Sequence, residues 1–553
     1  MHLDVAYQDR SRLIQSGSSG RLAMQPNLHR DEVALDAALR DPLAFREAMS
    51  ALHEIVTSNH KPPERDRTAY QAWKREQVAA DHRAEQAAAD AAVTAAGLPP
   101  STVAAHDEAC GRYWKARTRY DRQLRAENPA LWRILMPCDP VVTVAEDVVF
   151  FECFSADESS YGCLTLDRDA ALESGSDGAL GTTNVDYSQA LFEAFQSLRS
   201  YRQTRLQVDP AGFGVVTERG GGHREEKIDL PDGWLRGFLQ VQTAMAMPLR
   251  RVPIDRDCLY SLLAFQRRHR AKRSPRDLRI ELTPGQSPQL TLHPWGRAFV
   301  SRGTRYDGPP ADAPVRLWGT RRLLALARTL PLVRAVDLYL LGDGLPAFWV
   351  LHLPGMRLTL GLSGWTANDW TGGSALDALR PPIELEEDTL RAAAAKLRSL
   401  RSIPRPALAP TLGLDEPSAM AAVDTLAARG QVIFDLADGE YRWRSILPGA
   451  VERDQLAINP EVRAAQRLRE RVTGREVTPQ PDGGSLVRGV VEHHRVVVEL
   501  GPDRTIRGGE CECSHHFRSG LKRGPCRHLI ALRDALPPAP SLEAWWARQR
   551  AAR

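Results

Sequence analysis

From Glu510 to Arg533 the chain reads ECECSHHFRSGLKRGPCRHLIALR, which holds three of its eight cysteines and three of its fifteen histidines. The other cysteines, Cys110, Cys138, Cys153, Cys163 and Cys258, are scattered without a disulfide framework, so the cluster points to metal or redox chemistry in a reduced compartment. Cys511 and Cys513 are one residue apart, twelve residues follow, and Cys526 and His528 are again one residue apart. Three thiolates and an imidazole complete a tetrahedral shell for one Zn2+ ion. If the run RTIRGGECECS continues as a strand, residues two apart point the same way and both thiolates face one ion. Gly524-Pro525 ends the intervening loop and opens RHLIALRDAL, an amphipathic helix with Leu529, Leu532 and Leu536 on one side. Positions i and i+2 inside a helix diverge by about 200°, so Cys526 and His528 belong at its entrance. Four protein ligands leave no position for water or substrate, and the metal is expected to be structural. His515 and His516 are candidate substitute ligands, although a full shell makes them loop-packing or surface residues.

At 553 residues the chain is too long for one core, and two to four domains are expected. With 43% hydrophobic and 26% charged residues it has the composition of a globular protein. Residues 1–139 read as helical, with a helix over 31–57 and a charged helical hairpin between Pro63 and Asn128, broken at GLPPST. From 140 to 380 short β-rich runs alternate with helices, which predicts mixed, largely antiparallel α+β structure. LRIELTPGQSPQLTLHPW reads as a hairpin and Val336 to Trp365 as a three-strand meander, with TRRLLALARTLPLV as a helix between them. Three helices and a hairpin turning at Asp438-Gly439 give 385–446 a winged-helix-like order. Strands SLVRGVVEH and RVVVEL then lead into the cysteine cluster, which places a finger module at 480–540.

The 73 basic and 69 acidic residues leave a net charge of +4, so a polyanion could be held only locally. Within 501–536 seven basic residues oppose four acidic ones, a weak positive patch whose contact candidates are Arg518, Lys522, Arg523 and Arg527. The third helix of the winged segment carries Arg429 as its only basic residue, against Asp415, Glu416 and Asp424, which disfavours major-groove reading and favours a protein-contact or spacer role. The N-terminus lacks an apolar leader core and no apolar run reaches about 18 residues, so a cytoplasmic protein without membrane contact is expected.

Enzyme signatures fail on inspection. In GLSGW the glycine follows Ser363 directly, whereas a nucleophile elbow needs it two residues on. The glycines Gly342 and Gly344 lie in a hairpin turn, and the chain has neither a Walker A loop nor an H-E-x-x-H helix. The sequence therefore predicts no enzymatic activity. The loop GLSGWTANDW crowds Trp365, Asn368, Asp369 and Trp370 at a strand end; it is a candidate binding loop or an aromatic-anchored turn that packs the domain.

The order C-x-C-x(n)-C-x-H between a β-rich lead-in and a helix resembles the SWIM zinc finger. Taken with WGTRRLLALARTLPLV, LYLLGDGLPAFWV and GLSGWTANDW, it makes most of the chain similar to a bacterial family of SWIM zinc-finger proteins. The resemblance implies a gene neighbourhood with a MoxR-type AAA+ ATPase and a von Willebrand factor A protein, which become the expected partners. Two readings follow from it: a zinc-stabilised, non-enzymatic adaptor or recognition subunit, and, as the alternative, a nucleic-acid-binding protein that uses the basic finger.

Overall fold

The computed structural model describes residues 11–58 and 140–536 with gaps, the longest around 209–231 and at 447–459; of 59–139 and of the two ends it describes at most isolated positions. The chain divides into two compact units, one formed by 1–60 together with 138–553 and the other by 61–137. The expected helical hairpin falls in the second unit and lies almost wholly outside the described residues.

The first unit is mixed α+β and is organised around an eight-stranded sheet in which every neighbouring pair is antiparallel. From one edge to the other the strands are Arg250–Ile254, Ala335–Leu340, Ala347–Leu353, Met356–Leu362, Ser160–Asp167, Val148–Phe154, Val141–Val144 and Gly181–Asn184. The interior strand Val148–Phe154 is buried at every position, which explains why its sequence VVFFECF is a nearly continuous apolar run rather than an alternating one. Each face is covered. Phe151 meets Phe45 of helix Pro42–Thr57 on one side, and Phe154 meets Phe238 of helix Asp232–Ala246 on the other. Glycine permits both approaches: a Cβ on Gly162 would lie 2.9 Å from Leu52, and one on Gly237 would lie 2.9 Å from Phe154.

Two smaller four-stranded sheets flank this body. One is built from Arg12–Ser16, Ser19–Met24, Gln203–Val208 and Leu35–Ala38, and the other from Arg297–Val300, Gln289–Leu292, Leu278–Glu281 and Val315–Leu317. The helix expected over 31–57 begins only at Pro42, because Leu35–Ala38 is a strand. Asp41, not Asp31, is its cap and accepts from the backbone N–H of Leu43 and Ala44. The expected helix TRRLLALARTLPLV is a 3-10 helix over Thr320–Thr329.

Residues 385–446 supply helices Glu387–Leu400, Leu408–Leu412 and Glu416–Ala428 and a three-stranded sheet in the order Ser402–Pro404, Glu440–Trp443, Val432–Asp435. Charge fixes this segment to the large sheet. Arg357 of the sheet pairs with Asp435 and Asp438 of the hairpin, and Arg442 of the hairpin pairs with Asp147 at a turn of the sheet. Helix Glu416–Ala428 packs against helix Asp232–Ala246, and none of its residues is exposed.

A last four-stranded sheet, Val472–Pro479, Ser485–Val491, His494–Leu500 and Ile506–Cys511, carries the cysteine cluster. It takes one strand from before residue 480, helix Arg527–Asp534 packs against it, and helix Pro460–Leu468 packs on that helix. Its core is shared with the main body: Val487, Val498, Leu529 and Ile530 cluster with Met247, Leu341, Leu345 and Leu379. Among the described residues no helix is long and apolar enough to cross a membrane.

Candidate metal centre

Cys511, Cys513, Cys526 and His528 converge, all four buried, with their donor atoms within 4.8 Å of one another. Each reaches the site from a different local structure. Cys511 ends the edge strand Ile506–Cys511. The strand stops there instead of continuing to Cys513, which caps the short helix Ser514–Ser519 and accepts the His516 N–H at 3.4 Å on its Sγ. Cys526 is the extended residue that opens helix Arg527–Asp534, and His528 sits in that helix's first turn. Gly524, in left-handed backbone at φ 85°, turns the chain immediately before Pro525 and Cys526.

The donor set fits one metal ion such as zinc. Tetrahedral bonds of about 2.3 Å to sulfur and 2.05 Å to nitrogen put neighbouring S and N ligands about 3.6 Å apart. Cys511 Sγ and His528 Nδ1 are 3.6 Å apart. The thiols also crowd one another in an apolar setting: the Cys511 side chain, followed by burial, pushes the Cys526 thiol up to about 12, and burial pushes Cys513 up. Both effects favour the protonated thiols of Cys513 and Cys526, which a bound cation would offset.

The surroundings orient the imidazole. With Nδ1 toward the sulfurs, His528 turns Nε2 toward the Glu492 carboxylate at 3.7 Å, and the His494 ring stacks on it at 4.4 Å and 26°. A carboxylate behind a ligating histidine fixes its tautomer and strengthens it as a donor. Glu461 holds the neighbouring helix start: it accepts from the Arg527 backbone N–H at 2.8 Å and from the guanidinium at 2.7 and 3.1 Å. Burial works to raise the Glu461 carboxyl, but the Arg527 hydrogen bonds prevail and hold it below the usual range. Sequence reasoning missed Glu461, Glu492 and His494, since nothing in their spacing ties them to the cysteines; the sheet brings Glu492 and His494 there, and the packing of helix Pro460–Leu468 on helix Arg527–Asp534 brings Glu461.

The basic patch of the finger is smaller than its sequence suggests. Arg507 and Arg533 are buried, and Arg533 donates to the Ala378 carbonyl at 3.0 Å. Arg504 is half-buried and Arg527 is engaged by Glu461, while Lys522 and Arg523 lie outside the described residues. Arg518 is exposed, next to Phe517, which is 87% exposed on the helix between the ligand pairs. His515 and His516 are outside the four-donor group; burial and His515 push His516 down. In the other candidate loop, Trp370 is 2% exposed, packs 5.9 Å from Phe348 and donates its backbone N–H to the Glu158 carbonyl, so it serves the core and offers no binding surface. Trp365, Asn368 and Asp369 lie outside the described residues.

Neither a protein-family model nor any curated protein matches the chain. Among solved structures, the proliferating cellular nuclear antigen of Entamoeba histolytica aligns at 10% identity and a TM-score of 0.27, over 44% of this chain and 93% of its own. A structure described as the C-terminal region of FEN-1 bound to A. fulgidus PCNA aligns at 10% identity and 0.26, over 45% and 91%. At these TM-scores the likeness carries no argument about fold or function.

Proposed function

We propose that the chain is a non-enzymatic adaptor or recognition subunit, with a SWIM-type finger at its C-terminus held together by one structural zinc ion. The observation that carries this reading is the closed, buried donor set of Cys511, Cys513, Cys526 and His528, which leaves the ion no open position for catalysis. The loop that the ion anchors presents Phe517 and Arg518 to solvent, and a fixed aromatic beside an arginine is a common anchor for protein partners. Residues 385–446 are read as a winged helix whose third helix and hairpin wing serve packing. Support comes from the absence of any exposed residue on Glu416–Ala428 and from the ion pairs that hold the hairpin to the sheet. Arg429, the one base at that helix's end, is bidentate to Glu387 at 2.7 and 2.9 Å.

By resemblance, the partners are a MoxR-type AAA+ ATPase and a von Willebrand factor A protein. The reading is tested by co-purifying the tagged full chain with these two proteins from co-expression, with and without nuclease. Capture that survives nuclease and weakens on Phe517→Ala or Arg518→Glu is expected. Capture abolished by nuclease, or no capture of either protein, would contradict it. The rival, nucleic acid held by the finger, is weakened by the burial of Arg507 and Arg533 and by the engagement of Arg527.

A further inference from the structure

The densest positive charge on the chain lies away from the finger residues. Between Arg267 and Arg279 the sequence RRHRAKRSPRDLR holds seven basic residues against one acidic residue, Asp277, in a chain whose whole net charge is only +4. Of this run, Lys272 to Pro275 lie outside the described residues, and the site is argued without them. Arg267 and Arg268 form the last turn of helix Arg256–Arg268, and His269 and Arg270 follow; all four are exposed. Arg297, at the start of strand Arg297–Val300, is also exposed. Among the described residues Arg268, Arg270 and Arg297 form no ion pair, and Arg267 has only a longer-range influence on Glu54.

An aromatic cluster lies where helix Arg256–Arg268 packs against strand Arg297–Val300, the two elements that carry or lead into these arginines. The His269 ring stacks on Phe265 at 4.0 Å and 15°. Trp295, in the turn between strands Gln289–Leu292 and Arg297–Val300, stands edge-on to both, 5.5 Å from Phe265 and 6.3 Å from His269, and is 37% exposed. Phe265 in turn packs 5.9 Å from the buried Phe299, so the cluster is anchored to the core. Two arginines in a last helical turn are what the helix dipole favours by itself. The dipole does not account for Arg297, which comes from a different element, or for an indole left in solvent beside them. Arginine suits phosphate geometry, and aromatic rings among arginines offer a stacking platform to bases whose faces are free, as they are only in single strands.

We propose that this face binds single-stranded nucleic acid, with Arg267, Arg268, Arg270 and Arg297 on phosphates and Trp295 with His269 stacking on a base. The site is independent of the metal centre and goes beyond the adaptor reading. Fluorescence anisotropy of the full chain against labelled oligo(dT) and oligo(rU) tests it, with duplex DNA, polyglutamate and phosphatidylserine vesicles as the other polyanions. Low-salt binding to a single strand is expected, lost by roughly ten-fold or more in Arg268→Glu/Arg270→Glu and with a shallower salt dependence. Trp295→Leu is expected to weaken single-strand binding while leaving the salt slope unchanged. Should the double Glu variant fold poorly, Arg268→Gln/Arg270→Gln gives the same ordering. The proposal is overturned if the wild type binds neither oligonucleotide. It is also overturned if the arginine variants or Trp295→Leu bind as the wild type does, or if duplex, polyglutamate or vesicles are held as tightly as the single strands.

Discussion

Arg444 and Glu152 meet at 2.8 Å with both side chains fully buried, joining the residue after the 385–446 hairpin to the interior strand Val148–Phe154 of the eight-stranded sheet. Tyr161 donates its hydroxyl to the other Glu152 oxygen at 2.5 Å, and the Arg444 guanidinium lies 5.6 Å from the centre of the Phe238 ring. Burial pushes the Glu152 carboxyl above its usual range, and Arg444 and the Tyr161 hydrogen bond offset that only in part. Removing one partner strands a charge in the core. Glu152→Leu should cost about 3–5 kcal/mol, whereas Glu152→Leu/Arg444→Met should recover most of that loss. Urea melts of the two variants check this; equal destabilisation in both would mean that the pair is not coupled.

His53 gives the fold a pH dependence. Its ring stacks on Phe192 at 3.7 Å and 8°, and burial lowers its pKa from 6.5 to about 4. Above pH 6.5 the imidazole is neutral in both states and its contribution is fully present. As the pH falls from 6.5 toward 4 the unfolded chain takes up a proton that the folded chain refuses, so stability declines across that window. His53→Phe keeps a stacked ring without the titration. Its melting temperature should fall less than the wild type's between neutral pH and pH 4, and an identical fall would contradict the assignment.

Gly342 marks where the sheet that carries the cysteine cluster docks. A Cβ there would lie 2.6 Å from the Arg507 carbonyl oxygen. Gly342→Ala must therefore push the two parts away from each other, at about 1–3 kcal/mol for an overpacked contact. Hydrogen exchange should speed up in both the 341–346 turn and strand Ile506–Cys511, since their core is shared. A change confined to the turn would argue against the docking.

Glu492 tests the surroundings of the proposed metal ligands. If its carboxylate steadies the His528 ring through Nε2, Glu492→Gln should weaken zinc affinity by about ten-fold in a chelator competition, with the fold unchanged. Unaltered affinity would reduce Glu492 to a bystander.

The C-x-C and C-x-H spacings made the ligands legible because both pairs are local, and local spacing survives folding. The path between them was less legible: the strand was expected to carry both cysteines, but Cys513 leaves it to cap a helical turn, as its sulfur can accept a backbone N–H. The meander from Ala335 to Leu362 was readable from its turns at 342–344 and 354–355. What was not readable is its membership of an eight-stranded sheet, because the neighbouring strand Ser160–Asp167 lies far away in sequence. Residues 31–41 misled through Asp31, a cap without a helix to follow, since Leu35–Ala38 instead pairs with Gln203–Val208. The basic run from Arg267 to Arg279 stands in the sequence, but the whole-chain balance of charge masks it. Its aromatic partner Trp295 comes from the turn between strands Gln289–Leu292 and Arg297–Val300, which only the fold brings near.

Metal content measured on the purified full chain by elemental analysis is the most direct check on the central claim, that Cys511, Cys513, Cys526 and His528 hold one structural zinc. About one equivalent of zinc per chain is predicted, lost in Cys526→Ser along with the protection of the 485–536 module from proteolysis. A chain purified under reducing conditions without stoichiometric metal, or a Cys526→Ser variant that keeps both its zinc and its protected module, would contradict it.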